Sequence, residues 1–178
     1  MIRLFTGLGL PPDIVTMLSD LRGGVPGARW IEPEDYHLTL QFVGNVEEDV
    51  GQELHELLTR LRKPPVEVIL ERLDVFGGSK PRAIVLAARQ TPSLIDLHGS
   101  HERILKQLGI PVESRKYLPH VTLARLKGVE PASVAQYADA RGYFRPRSFI
   151  ADEFNLYSSP RSGGGGPYRI EADYSLRA

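Results

Sequence analysis

Two short segments of this chain follow one pattern, His37-Leu38-Thr39-Leu40 and His120-Val121-Thr122-Leu123. Around the first, residues 36–43 (YHLTLQFV) alternate, so Leu38, Leu40 and Phe42 share one face while His37, Thr39 and Gln41 share the other. That is the pattern of a half-buried strand with a polar second face. Six of the 178 residues are Thr, so each of the five His has about a 3% chance of a Thr two places on. Two such matches arise by chance on the order of one time in a hundred, before the shared Leu is counted. A chain carrying this strand twice is constrained toward two similar lobes whose polar strand faces come together.

The elements around the two motifs fit that outline. Residues 2–10 read as a strand and 12–22 as a helix ended by Gly23-Gly24. From Glu48 to Lys63, residues Val50, Leu54, Leu57, Leu58 and Leu61 form the stripe of an amphipathic helix, stopped by Pro64-Pro65. Residues 66–76 and 82–89 read as strands joined by GGSKP. A second helical pattern, Leu94, Leu97, Ile104, Leu105 and Leu108, ends at Gly109. Residues 118–126 predict a strand, 132–141 a helix, and 148–157 and 167–176 two final strands separated by Gly163 to Gly166. Each half thus reads as motif strand, helix and two strands, over 37–89 and 120–176. Strands adjoin strands as often as helices, so the fold class is α+β with mainly antiparallel sheets. The length of 178 residues suits one domain or two small, intimately packed lobes.

Charge does not supply a global partner, because 22 Lys plus Arg balance 22 Asp plus Glu. It is locally uneven. Residues 111–150 hold seven basic against three acidic residues, or +4, and residues 47–67 hold three basic against six acidic, or −3. These are solvated helix faces or, for the first, a basic wall beside an anion site. The lack of cysteine excludes disulfides, thiolate metal sites and a Cys nucleophile. No stretch approaches the roughly 18 apolar residues of a membrane span, and no signal-peptide pattern precedes Pro11-Pro12, so the chain is read as cytoplasmic.

On a strand, residues i and i+2 share a face, so each motif presents one imidazole and one hydroxyl side by side. Two such modules facing each other supply two groups near pKa 6.5 and two hydroxyl donors. Imidazoles on opposite sides of one atom can act as base and acid in a single displacement, as hydrolysis of a phosphodiester requires. The segments HLTLQFVG and PHVTLAR, with the opening RLFTGLGLP, Trp30, the GGSKPR loop and Tyr117-Leu118-Pro119-His120, resemble the two-histidine (2H) phosphoesterases, most closely the RNA 2',3'-cyclic phosphodiesterases, also described as 2'-5' RNA ligases. The resemblance implies a single bilobal α+β domain over 1–178, its lobes related by a pseudo-two-fold around a central cleft with helices outside, and a metal-free, cofactor-free site in that cleft, acting on RNA ends with a 2',3'-cyclic phosphate or on related cyclic nucleotides to leave a 2'-phosphate. It implies His37 as proton donor, His120 as proton acceptor, and Thr39, Thr122 and Arg125 as phosphate-binding residues. Spacing itself does not choose between the two imidazoles. Strict alternation places Arg125 on the face opposite His120, so it reaches the site only if the strand twists or ends there. A monomer with no required protein partner is expected.

Trp30, Tyr117 and Phe42 are candidates to stack on a base, although Phe42 falls on the leucine face and is expected in the core. His98 and His101, at i and i+3 near Asp96 and Glu102, carry no distinctive further metal ligand and are set aside, and His55 is expected to be solvated. Gly163 to Gly166 is followed by no phosphate-loop residues and Gly-x-Ser-x-Gly is absent. Two other activities remain compatible with the same residues: reversible joining of RNA ends through a 2'-5' linkage, and noncatalytic binding of RNA ends or nucleotides.

Overall fold

A computed structural model describes residues 1–160 and 166–177. The connection expected at Gly163 to Gly166 therefore lies outside the described residues except for Gly166. In chain order the elements are β1 (Ile2–Leu8), α1 (Pro12–Ser19), β2 (Arg29–Trp30), a 3-10 turn (Pro33–Asp35), β3 (Leu38–Val46), α2 (Glu48–Arg60), β4 (Val66–Phe76) and β5 (Ala83–Ala88). They continue with α3 (Pro92–Gln107), β6 (His120–Arg125), α4 (Pro131–Arg141), β7 (Arg147–Ala151), β8 (Glu153–Ser158) and β9 (Arg169–Ser175). The helices begin and end where their sequences dictate. Thr91 caps α3 by accepting from the Leu94 N–H at 3.4 Å and donates its own hydroxyl to the Glu67 carbonyl at 2.8 Å, which ties the helix start to β4. Leu54 and Leu58 of α2, Leu94, Leu97, Ile104 and Leu105 of α3, and Ile14 and Leu18 of α1 are buried on the core side.

Every strand pairing among the described residues is antiparallel, in the order β7-β4-β5-β6-β3-β1-β8-β9, with β2 beside β6. The two sheets expected for two lobes are thus joined into one. Outward from its middle, one half runs β6-β5-β4-β7 and the other β3-β1-β8-β9, and they meet at the pair Leu38↔Val121. These residues hold the same place in the two motifs, each directly after the His, so the pseudo-two-fold passes between them.

The halves do not follow the sequence repeat. The hairpin β4-β5, expected beside the first motif, lies against the second, and β8-β9 lies beyond β1 on the first motif's side. The single strand expected over 148–157 also breaks at Asp152 into β7, at one edge of the sheet, and β8, six strands away in the order. In a flat sheet six steps of about 4.8 Å would separate them by roughly 29 Å. Ala151 and Glu153 are two residues apart in sequence, and two Cα steps span at most about 7.6 Å. The sheet must curl until its edge approaches its far half, and among the described residues it forms a half-barrel with four α-helices. That curl gives the motif strands a concave face. Among the described residues no helix is long and apolar enough to cross a membrane.

Candidate active site

The concave side holds a cleft of about 840 Å³ lined by residues of both halves, among them His37, Thr39, His120, Thr122 and Arg125. The pair Leu38↔Val121 sets their arrangement. Extending that register by one residue places His37 across from Thr122 and Thr39 across from His120, so the two imidazoles sit at opposite corners of a four-residue array. Leu38 and Val121 between them are fully buried and fix both strands to the core.

Each imidazole is held by a carbonyl two residues earlier. His37 Nδ1 lies 2.8 Å from the Asp35 oxygen and His120 Nδ1 lies 2.7 Å from the Leu118 oxygen. A carbonyl only accepts, so Nδ1 carries the proton in both rings and Nε2 is the nitrogen left for chemistry. In the neutral ring His37 Nε2 accepts the Thr39 hydroxyl at 3.1 Å. Burial lowers the pKa of both imidazoles, the carbonyl bonds oppose that shift, and the Arg125 guanidinium lowers both further. His37, with ring centroids 4.8 Å from Phe5, 5.4 Å from Tyr157 and 5.0 Å from Tyr168, is brought down to about 4. His120 meets the edge of Phe76 at 4.8 Å. Phe76 owes its place to the hairpin that follows it: Gly77 has φ +111°, and a Cβ there would clash with the Lys80 carbonyl.

Arg125 is brought into the cleft by a β-bulge. Along β5 and β6, Ile84 pairs with Ala124 and Val85 with Thr122, leaving Leu123 as an extra residue. Leu123 and Ala124 both turn inward, which returns Arg125 to the face of His120 and Thr122. Its Nε is buried without a hydrogen-bond partner. The expectation that alternation keeps Arg125 away is corrected by this one residue.

The same correction applies to Phe42. Thr6 pairs with Gln41 and Gly7 with Thr39, so Leu40 is extra; Leu40 and Gln41 are both buried, and Phe42 turns into the cleft, 54% exposed. Both bulges leave a trace in the sequence, since the next large core aliphatic after each motif Leu comes three residues on, Val43 after Leu40 and Leu126 after Leu123, rather than two. Phe42 keeps Phe5 as a ring neighbour at 6.0 Å, and the other stacking candidates have structural partners too. Trp30 packs on Tyr137 at 5.6 Å, and Tyr117 donates its hydroxyl to the Thr39 carbonyl at 2.6 Å while its ring stacks on His98 at 3.8 Å.

His98, set aside in the sequence, therefore lines the cleft, where its Nε2 accepts from Gln41 at 3.0 Å. His101 points the other way, into the core, bonded to Thr6 at 2.8 Å. Among the described residues no three His, Asp or Glu side chains are grouped so as to hold a metal ion. His55 is not simply solvated, because its Nδ1 bonds the Tyr174 hydroxyl at 2.8 Å. Of the basic residues in 111–150, Arg115, Lys116 and Arg125 line the cleft, joined by Arg82 and Arg3, whereas Arg141 and Arg147 bond Asp20 and Asp13 elsewhere. The acidic residues of 47–67 line none of it.

The family model described as "2'-5' RNA ligase superfamily" matches residues 10–163. The RNA 2',3'-cyclic phosphodiesterase of Bacillus subtilis (strain 168) is 30% identical over 159 residues, covering 86% of this chain and 85% of that protein. The protein of the same name from Escherichia coli (strain K12) is 29% identical over 166 residues, covering 91% and 89%. Among solved structures, E. coli LigT complexed with 3'-AMP superposes with a TM-score of 0.78 at 26% identity, covering 98% of both chains.

Proposed function

Because this chain belongs to the 2'-5' RNA ligase superfamily, we propose that its cleft opens RNA 2',3'-cyclic phosphate ends to 2'-phosphomonoesters without a metal. The observation that carries this reading is the matched pair of imidazoles, each with Nδ1 pinned by a carbonyl and Nε2 kept for chemistry, on either side of the Leu38–Val121 seam. A cyclic phosphate centred between them has one imidazole beside the incoming water and the other beside the departing ester oxygen. His120 Nε2 takes a proton from water as its oxygen bonds phosphorus. The P–O3' bond breaks, and His37 Nε2 gives its proton to O3', leaving the phosphate on O2'. Atoms and charge balance, and the two imidazoles exchange protonation states over the turnover.

Thr39 and Thr122 donate hydroxyl hydrogen bonds to the non-bridging oxygens, and the unpartnered Nε of Arg125 gives the guanidinium a reason to face an anion. The low pKa of His37 bears on its role as donor. At pH 7 the free protein holds His37 neutral. The arriving phosphate brings a negative charge that favours the protonated imidazole and offsets the repulsion from Arg125. Once protonated, so weakly basic a ring is a strong acid toward O3'. The same bond is broken if a 5'-hydroxyl replaces water, which gives a 2'-5' linkage, the reaction in the family's name.

The test is incubation of the purified protein, in excess EDTA, with a short RNA ending in a 2',3'-cyclic phosphate. A 2'-phosphate product is expected. RNA that stays tightly bound and unchanged would overturn hydrolysis in favour of a binding module.

A further inference from the structure

The carbonyls that pin the two imidazoles belong to equivalent residues, Asp35 and Leu118, each two places before its His. The side chains of these two residues differ in kind. Leu118 stands 53% exposed on the cleft wall and has no polar group to bond. The Asp35 carboxylate accepts the Tyr168 N–H through Oδ1 at 3.1 Å. Gly166 lies against the same carboxylate, and a Cβ there would run into it. The backbone that leads into β9 is therefore laid directly on Asp35.

The consequence falls on His37. Phe5 of β1 and Tyr157 of β8 already flank its ring, and Tyr168 adds a third wall, standing perpendicular to the imidazole with centroids 5.0 Å apart. Tyr168 also meets Phe5 edge-on at 5.1 Å, so the rings make one box. Among the described residues His120 has only the edge of Phe76. An acid and a base need this difference. A protonated imidazole is a stronger donor where water does not stabilise its charge, whereas a base that activates water must meet water. The His-Thr array does not supply the distinction, because its two modules are equivalent.

Building on the cyclic phosphodiesterase reading, we infer that Asp35 is a positioning residue: its carboxylate fastens Tyr168 across His37, and this one-sided cover makes His37 the acid and leaves His120 the base. The groups that face His37 are Thr39 on its own strand, the Asp35 carbonyl, Tyr157 on β8, Tyr168 ahead of β9, and Arg125 and His120 from β6. Burial is the strongest of the influences that bring the ring down to about 4. Loss of the Tyr168 cover admits water and raises that value, whereas loss of a nearby negative charge by itself lowers it. Fastening Tyr168 and supplying charge are thus two roles of Asp35 with opposite signs.

The experiment titrates the His37 ring by NMR in the ligand-free protein and follows the acidic limb of kcat/KM for a nucleoside 2',3'-cyclic monophosphate. Asp35→Ala moves both to higher pH by about one unit or more, on the scale that burial sets. Tyr168→Ala gives the same rise while leaving the turn at Asp35 intact, and the double variant adds nothing, because both residues act through one contact. In Asp35→Asn the amide oxygen still accepts the Tyr168 N–H, so His37 titrates at or below its wild-type value. A His37 titration unchanged or lowered in a folded Asp35→Ala or Tyr168→Ala protein would overturn the inference. So would an Asn variant that rises as far as the Ala variant, because the bond to Tyr168 would then not be the cause. A wild-type protein that opens no cyclic phosphate sinks the underlying reading instead, and the NMR titration still decides whether Asp35 and Tyr168 cover His37, so the two failures are distinguishable.

Discussion

His37 and His120 are held by one device, a backbone carbonyl two residues back, yet they are housed differently. His37 sits among Phe5, Tyr157 and Tyr168, whereas His120 meets Phe76 edge-on at a loop whose course Gly77 permits. Identical strand geometry fixes which nitrogen faces the cleft, and the surrounding rings set how readily that nitrogen takes a proton. On the proposed reading, such a difference in housing divides acid from base without changing the motif. The price is paid by burial, since both imidazoles are harder to charge than in water.

The comparison breaks most sharply if one module proves dispensable. His37→Ala and His120→Ala are each expected to lower turnover by roughly 10²–10⁴, the scale of losing a general acid or base. A variant with wild-type thermal unfolding and a near-normal rate would remove that residue from the mechanism. The seam between the modules is probed by Leu38→Ala. Leu38 is fully buried, so the substitution should destabilise the protein by about 2–5 kcal/mol in denaturant unfolding. A loss below about 1 kcal/mol would mean that the seam relaxes around the cavity and does not rigidly set the four-residue array.

A smaller effect separates the modules, because the first has a strut from the second half's loop: the Tyr117 hydroxyl on the Thr39 carbonyl. Tyr117→Phe keeps the ring stacked on His98 and removes one hydrogen bond, for an expected loss of about 1 kcal/mol in stability. Turnover should change by less than tenfold if Thr39 is also held by its strand. A larger fall in kcat with stability unchanged would make the hydroxyl a positioning group for the first module.

Much of this was legible in the residues. Leucine spacing located α2 and α3, and i, i+2 spacing placed His37 with Thr39 and His120 with Thr122 on shared faces. What was not legible depends on pairing between distant strands. The break at Asp152 falls inside a continuous strand-like run, and only the two ladders, β7 on β4 and β8 on β1, reveal it. The bulges at Leu40 and Leu123 misled the reading of Phe42 and Arg125 because alternation assumes equal residue counts on paired strands. The three-residue interval to Val43 and to Leu126 carried that information in both motifs. Helical spacing alone does not separate His98 from His101, which are set aside together, yet the helix carries His98 to the cleft while His101, one turn on, enters the core.

The pH dependence of kcat/KM for a 2',3'-cyclic phosphate tests the paired-imidazole account most directly, because that ratio reports the free protein's acid and base. Burial lowers both histidines below 6.5, with His37 at about 4. The singly protonated pair therefore predominates between two lowered pKa values, activity falls as pH rises above the upper one, and the bell is centred below pH 6.5. A profile that is flat from pH 5 to 9, or a bell centred above pH 6.5, would contradict the account.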